Sequence, residues 1–246
     1  MNPRQKKSTS KPSFSPDQAR GEVVRLLLIN PNTSAHITAR LAASARAVLE
    51  LGDELTAVTA SEGPEVVRSA EMLAQADASS FTLAESHATN CDAIVLGISL
   101  DGAAHRLREL HQKLPIVGMT EAGLFTACLC AERIGMLTLG ADLLPLYRQR
   151  VEEIGLSSRV VAYRAPEVAN AFSADASLID PEVLDQLSDA CLQMQHEGAQ
   201  AIVLAGAVLC GYAAALIARC GLPVLDGVAC AVGHVRIALA CKLSTN

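Results

Sequence analysis

Short apolar runs alternate along the chain with longer stretches of helical period, and Gly-rich or small polar breaks separate them. Val23 to Asn30 is a nearly continuous apolar run, the pattern of a strand buried on both faces. Asn30-Pro31-Asn32-Thr33-Ser34 breaks it, and the helical spacing from His36 to Leu51 follows directly on these capping residues. The same order of signals predicts strands over 54–60, 91–98, 115–119, 135–140, 158–164, 201–206 and 223–226. It predicts helices over 67–88, 101–112, 121–133, 143–155, 181–197, 209–220 and 228–243. Strands alternating with helices define the α/β class, with parallel sheets flanked by helices. Ligands in such sheets bind beyond the carboxyl ends of the strands, which singles out the loops that follow them.

Two of those strand ends are near-duplicates. Asp92-Ala-Ile-Val-Leu-Gly-Ile-Ser-Leu-Asp-Gly-Ala103 is matched 108 residues later by Gln200-Ala-Ile-Val-Leu-Ala-Gly-Ala-Val-Leu-Cys-Gly211, and Pro115-Ile-Val-Gly118 by Pro223-Val-Leu-Asp226. A period this long means two similar α/β halves, since solenoid repeats run to roughly 20–50 residues. The expectation is two pseudo-symmetric lobes with the site in the cleft between them. The first takes residues 21–118 plus about 223–246, and the second 119–222. Residues 1–20, basic and rich in Ser and Pro without a hydrophobic centre, read as a disordered extension and not as a secretion signal.

Composition narrows the function. Half of the 246 residues are apolar, tryptophan is absent and the formal net charge is -6, which argues against a nucleic-acid partner. No apolar stretch reaches the roughly 18–20 residues of a membrane helix, so no membrane partner is expected and the location expected is cytoplasmic. The eight cysteines lie mostly within apolar periodic segments and read as small buried hydrophobes. Cys128 and Cys130 are spaced by one residue within a helix and point apart, so no metal site is expected. Neither a Gly-x-Gly-x-x-Gly turn nor a phosphate loop follows a strand, and no cofactor is implied.

Leu28-Ile29-Asn30-Pro31-Asn32-Thr33-Ser34, Gly63-Pro64, Pro115-Ile-Val-Gly-Met-Thr-Glu121-Ala122 and Pro223-Val-Leu-Asp226-Gly227-Val228 resemble the Asp/Glu/hydantoin racemase superfamily, in particular its hydantoin and allantoin racemase branch. The resemblance spans about residues 22–243. It implies two α/β lobes around a small-molecule substrate, self-association into a homo-oligomer, and two thiols, one at each repeated strand end, that move a proton on opposite faces of a carbon acid. The aligned positions here are Ile98 and Gly206, and neither side chain moves a proton.

Candidate residues follow from the loops and the resemblance together. Cys210 is expected in the first turn of a helix, where its pKa would be depressed. Ser99, Asp101 and Glu121 are the other catalytic candidates. Asn30, Asn32, Thr33, Ser34, Thr120, Gly206 and Ala207 are candidates for holding a carboxylate or ring amide, through capping groups and backbone N–H donors. The expected activity is one-sided chemistry on a hydantoin-like imide or thio-imide ring, such as hydrolysis or desulfuration at a ring carbonyl or thiocarbonyl. A racemase with unconventional bases such as Ser99 and Cys210, and a non-catalytic ligand-binding relative, are the alternatives.

Overall fold

The computed structural model describes residues 23–168 and 179–243; the expected extension over residues 1–20 lies outside them. Among the described residues eight strands and eight α-helices alternate. The first half contains β1 (Arg25–Asn30), α1 (Ala35–Arg46), β2 (Glu54–Thr59), α2 (Ala70–His87), β3 (Ala93–Leu96), α3 (Ala104–Leu110), β4 (Ile116–Gly118) and α4 (Met119–Cys130). The second contains β5 (Ile134–Leu137), α5 (Leu144–Glu153), β6 (Val160–Arg164), α6 (Pro181–His196), β7 (Ala201–Leu204), α7 (Ala213–Cys220), β8 (Val224–Asp226) and α8 (Gly227–Leu243). Each half builds one four-stranded parallel sheet, in the orders β2-β1-β3-β4 and β6-β5-β7-β8.

The apolar runs are strands because both faces of each sheet are covered, and the period of two sorts their side chains. Leu27, Ile29, Ile94 and Leu96 pack on one face of the first sheet with Leu107 of α3, while Leu26, Leu28 and Val95 pack on the other with Ile37 and Leu41 of α1. In the second sheet Ile134, Met136 and Val203 meet Tyr147 and Val151 of α5, and Ile202 and Leu204 meet the side carrying Leu187 of α6 and Leu216 of α7.

Two helices exchange between the halves. α4 leaves the first sheet and packs on β7 of the second, whereas α8 leaves the second and packs on β3, β4 and α1 of the first; α4 and α8 also pack on each other. Arg236 of α8 is held by Asp53 and, at 3.1 Å, by Glu50 of the first half. The segment after residue 223 was expected to return whole to the first lobe. Its strand instead pairs with β7, at Ile202↔Val224 through Leu204↔Asp226, and only α8 crosses over. No helix among the described residues is long and apolar enough to cross a membrane.

Candidate active site

Six strand ends, three from each sheet, converge on one cleft. Its cavity of about 410 Å³ is of the size that holds a small ligand. Asn32 after β1, Val66 to Arg68 after β2 and Gly97 to Ser99 after β3 face Thr138 to Leu143 after β5, Pro166 to Val168 after β6 and Gly206 to Val208 after β7. The repeat is visible in the backbone at its centre. Ile98 has φ -131 and ψ 144, and Gly206 has φ -128 and ψ 136, so the two positions present the same geometry from opposite lobes. A Cβ on Gly206 would find only ordinary contacts, the nearest being Thr138 Oγ1 at 3.7 Å.

What lies in the wall differs in part from the sequence-based expectation. Asn32, Ser99, Gly206 and Ala207 line the cavity. Asn30 is fully buried beneath it, donating from Nδ2 to Asn32 Oδ1 at 2.9 Å and to Thr38 Oγ1 at 2.9 Å, and so shapes the turn from behind. The Ser34 hydroxyl donates to the Glu65 carbonyl at 2.7 Å, and the Thr33 N–H donates to the Pro64 carbonyl at 3.1 Å. These bonds tie the loops after β1 and β2 together, and neither residue is in the wall.

Cys210 departs furthest from its expected place. α7 begins only at Ala213, because Cys210 is extended (ψ 136) and Gly211 turns with φ 91, so the thiol lies ahead of that helix and not in its first turn. It is fully buried outside the cavity wall, and burial together with the neighbouring Asp226 carboxylate pushes its pKa well up rather than down. Asp101 and Glu121 also point away from the cavity. The Asp101 carboxylate accepts from the N–H groups of Thr120 at 3.0 Å and Glu121 at 2.7 Å; burial first, then the nearby Glu121, pushes its pKa up to about 7. Glu121 pairs with Arg108 and, at 3.2 Å, with Arg150. The Thr120 hydroxyl, fully buried, accepts from the Leu100 N–H at 3.1 Å.

Two hydroxyls that the sequence did not single out, those of Thr138 and Tyr147, join the candidate Ser99 at the cavity floor and link the lobes. Thr138 from the second half donates to the buried phenol of Tyr147 at 3.3 Å, and the Ser99 hydroxyl from the first half lies close to the same phenol. Tyr147 itself donates to the Ala205 carbonyl, and burial raises its pKa to about 12, so it stays protonated. Leu100 fixes this arrangement from the other side. Its side chain sits in the second half's core with Leu124, Met136 and Tyr147, although its φ of 71 is a conformation that bulky residues avoid. Thr138 was legible in principle, since it stands one repeat after Asn30; Tyr147 lies on no strand end and carried no signal. Among the described residues the wall contains no cysteine, histidine or lysine. Its ionisable groups are Arg68, Asp142 and Glu167.

Two parallel sheets that exchange a helix and enclose a small-molecule cleft at their facing strand ends define a class of two-lobed, pseudo-symmetric α/β enzymes. The model of the Asp/Glu/hydantoin racemase family matches residues 26–235, and the chain belongs to that family. It is 29% identical over 227 residues to the hydantoin racemase of Paenarthrobacter aurescens, covering 90% of this chain and 94% of that one. Among solved structures, the allantoin racemase from Klebsiella pneumoniae superposes with a TM-score of 0.82 at 27% identity, covering 89% of each chain. The allantoin racemase from Pseudomonas fluorescens gives 0.81 at 27% identity, over 90% of this chain and 93% of that one.

Proposed function

We propose that the protein racemises a hydantoin-like five-membered imide by a one-sided, thiol-free route. The carbon beside a ring carbonyl loses its proton to a carboxylate of the second lobe, Glu167 or Asp142. The electron pair moves onto the carbonyl oxygen, and the resulting enolate is held by the hydroxyls of Ser99 and Thr138, the latter turning its one proton from the Tyr147 oxygen to the enolate. Such preorganised donors often supply the largest single share of catalysis. The planar enolate regains a proton from the carboxylic acid on the face it left, or from water on the other face, the hydroxide so formed then taking the acid's proton, and only the second event inverts the centre.

One observation carries this reading. Ile98 and Gly206 share one backbone geometry at the two strand ends and place no proton-moving side chain there, while Ser99 and Thr138 meet at Tyr147 between them. The hydantoin and allantoin racemase relatives support a cyclic ureide as the substrate class. Hydrolysis or desulfuration through Cys210 loses support, because its thiol is buried outside the wall.

The test is incubation of each enantiomer of a 5-substituted hydantoin in heavy water, followed by NMR, optical rotation and mass spectrometry. The expected result is deuterium entering the starting enantiomer faster than optical rotation is lost. Deuterium found only in the inverted product would mean two bases on opposite faces and would reject the one-sided route. Ring opening or loss of sulfur would restore attack at a carbonyl or thiocarbonyl. Binding of the ring with neither exchange nor turnover would favour a non-catalytic relative.

A further inference from the structure

The repeat offset sets Gly118 against Asp226, Gly102 against Cys210 and Ala103 against Gly211. In the second half one carboxylate ties the strand-end loop to the exchanged helix. Asp226 accepts from the N–H groups of Gly211 at 2.8 Å, Val228 at 3.0 Å and Ala229 at 3.2 Å, so the loop carrying Gly206 is fastened to the first turn of α8. The equivalent position in the first half, Gly118, has no side chain.

The first half divides this work between two other carboxylates. Asp101 accepts from Thr120 and Glu121, the counterparts of Val228 and Ala229. Asp77, on α2, sets its carboxylate against Gly102, next to Ala103, the counterpart of Gly211, and the Ala103 N–H favours its charged form. Two glycines make the room. A Cβ on Gly118 would run into the Asp101 side chain, and a Cβ on Gly102 into the Asp77 carboxylate. The conformational cost also moves. The second half places its positive φ on Gly211, which tolerates it, whereas the first places φ 71 and 54 on Leu100 and Asp101. A loop held this way against its own preference needs its fastenings.

We propose that Asp101 and Asp77 are positioning residues for Ser99, together doing for its loop what Asp226 alone does for the Gly206 loop. Neither touches the cavity; they act through the backbone that sets where the Ser99 hydroxyl stands. The catalytic consequence rests on the reading that Ser99 holds the enolate, whereas the mechanical part stands without it.

Moving the carboxylate tests this. Asp101→Gly, Gly118→Asp and the double variant are compared by amide hydrogen exchange at Leu100, Thr120 and Glu121 without substrate, and by kcat and KM on a 5-substituted hydantoin. In Asp101→Gly, exchange at Thr120 and Glu121 is expected to rise by about tenfold or more. Its kcat is expected to fall by about tenfold to a hundredfold, with KM changed by less than about threefold. Gly118→Asp alone crowds the Asp101 side chain and loses stability. The double variant, with its carboxylate placed as Asp226 is, is expected to recover both readouts. A conservative second pair, Asp77→Asn against Asp77→Ala, is expected to keep and to lose protection of Ala103.

Exchange unaltered in Asp101→Gly, or a double variant no better than that single variant, would overturn the proposal. Exchange restored without kcat would instead make the carboxyl at 101 itself catalytic, and overturn it equally. If wild type turns over no hydantoin while the exchange pattern holds, the enzymatic reading fails and the loop assignment is supported.

Discussion

Tyr147 donates its proton to the Ala205 carbonyl, so its oxygen is left to accept from Thr138, with the Ser99 hydroxyl close by. Tyr147→Phe removes that meeting point and leaves a buried carbonyl unpaired. Stability is expected to fall by about 1–3 kcal/mol in denaturant titrations, and initial rates on hydantoins by about tenfold or more. Cys210→Ala is the contrasting case. It should cost about 1 kcal/mol as a small core truncation and leave the rate unchanged, and a large loss of rate would return the thiol to the mechanism. Two carboxyls, Asp101 fully buried and Asp77 partly so, add a pH dependence. Burial raises Asp77 to about 6, and burial with Glu121 raises Asp101 to about 7. Both therefore bind a proton more tightly in the folded chain than in the unfolded one, where the value is near 4. Their contribution to stability is complete below about pH 4 and is lost as pH rises through about 6 and about 7. Denaturant midpoints should accordingly fall between about pH 5 and about pH 8, and fall less in Asp101→Asn; equal slopes in the two proteins would exclude Asp101 as the source.

Leu100 shows how an element is fixed by something outside it. The 3-10 turn Ser99–Asp101 belongs to the first half, yet Leu100 is buried in the second half's core beside Tyr147. Leu100→Ala is expected to cost about 2–5 kcal/mol, as for other buried leucines, and to lower turnover because Ser99 is its neighbour. Denaturation and rate measurements on one preparation would check both, and a destabilised protein with full rate would separate the turn from the site. Most elements were legible from the chain alone. Leu26 to Ile29 and Ala93 to Leu96 are apolar at every position because both faces of their strands are covered, which the sequence states directly. α7 was read as starting at 209 and starts at Ala213. Leu209-Cys210-Gly211 has helical spacing, but the positive φ at Gly211 and the bond from its N–H to Asp226 come from contacts that spacing does not encode.

At the scale of the molecule, the exchange of α4 and α8 makes each half part of the other's core. The two halves are therefore expected to unfold together, with far-UV circular dichroism and tyrosine fluorescence following one denaturant transition. Two separated transitions would show that the exchanged helices contribute little. The 108-residue repeat, the α/β class and the lack of a proton-moving side chain at Ile98 and Gly206 were all determined by the sequence, because periodicity and side-chain identity are local properties. Which helix covers which sheet was decided by tertiary structure. So were the burial of Cys210 away from the cleft, the turn of Asp101 toward α4 and the meeting of Ser99 with Thr138 at Tyr147. The reason is physical: a side chain's direction and its pKa depend on which neighbours fill the space around it, and here those neighbours come from the other half of the chain.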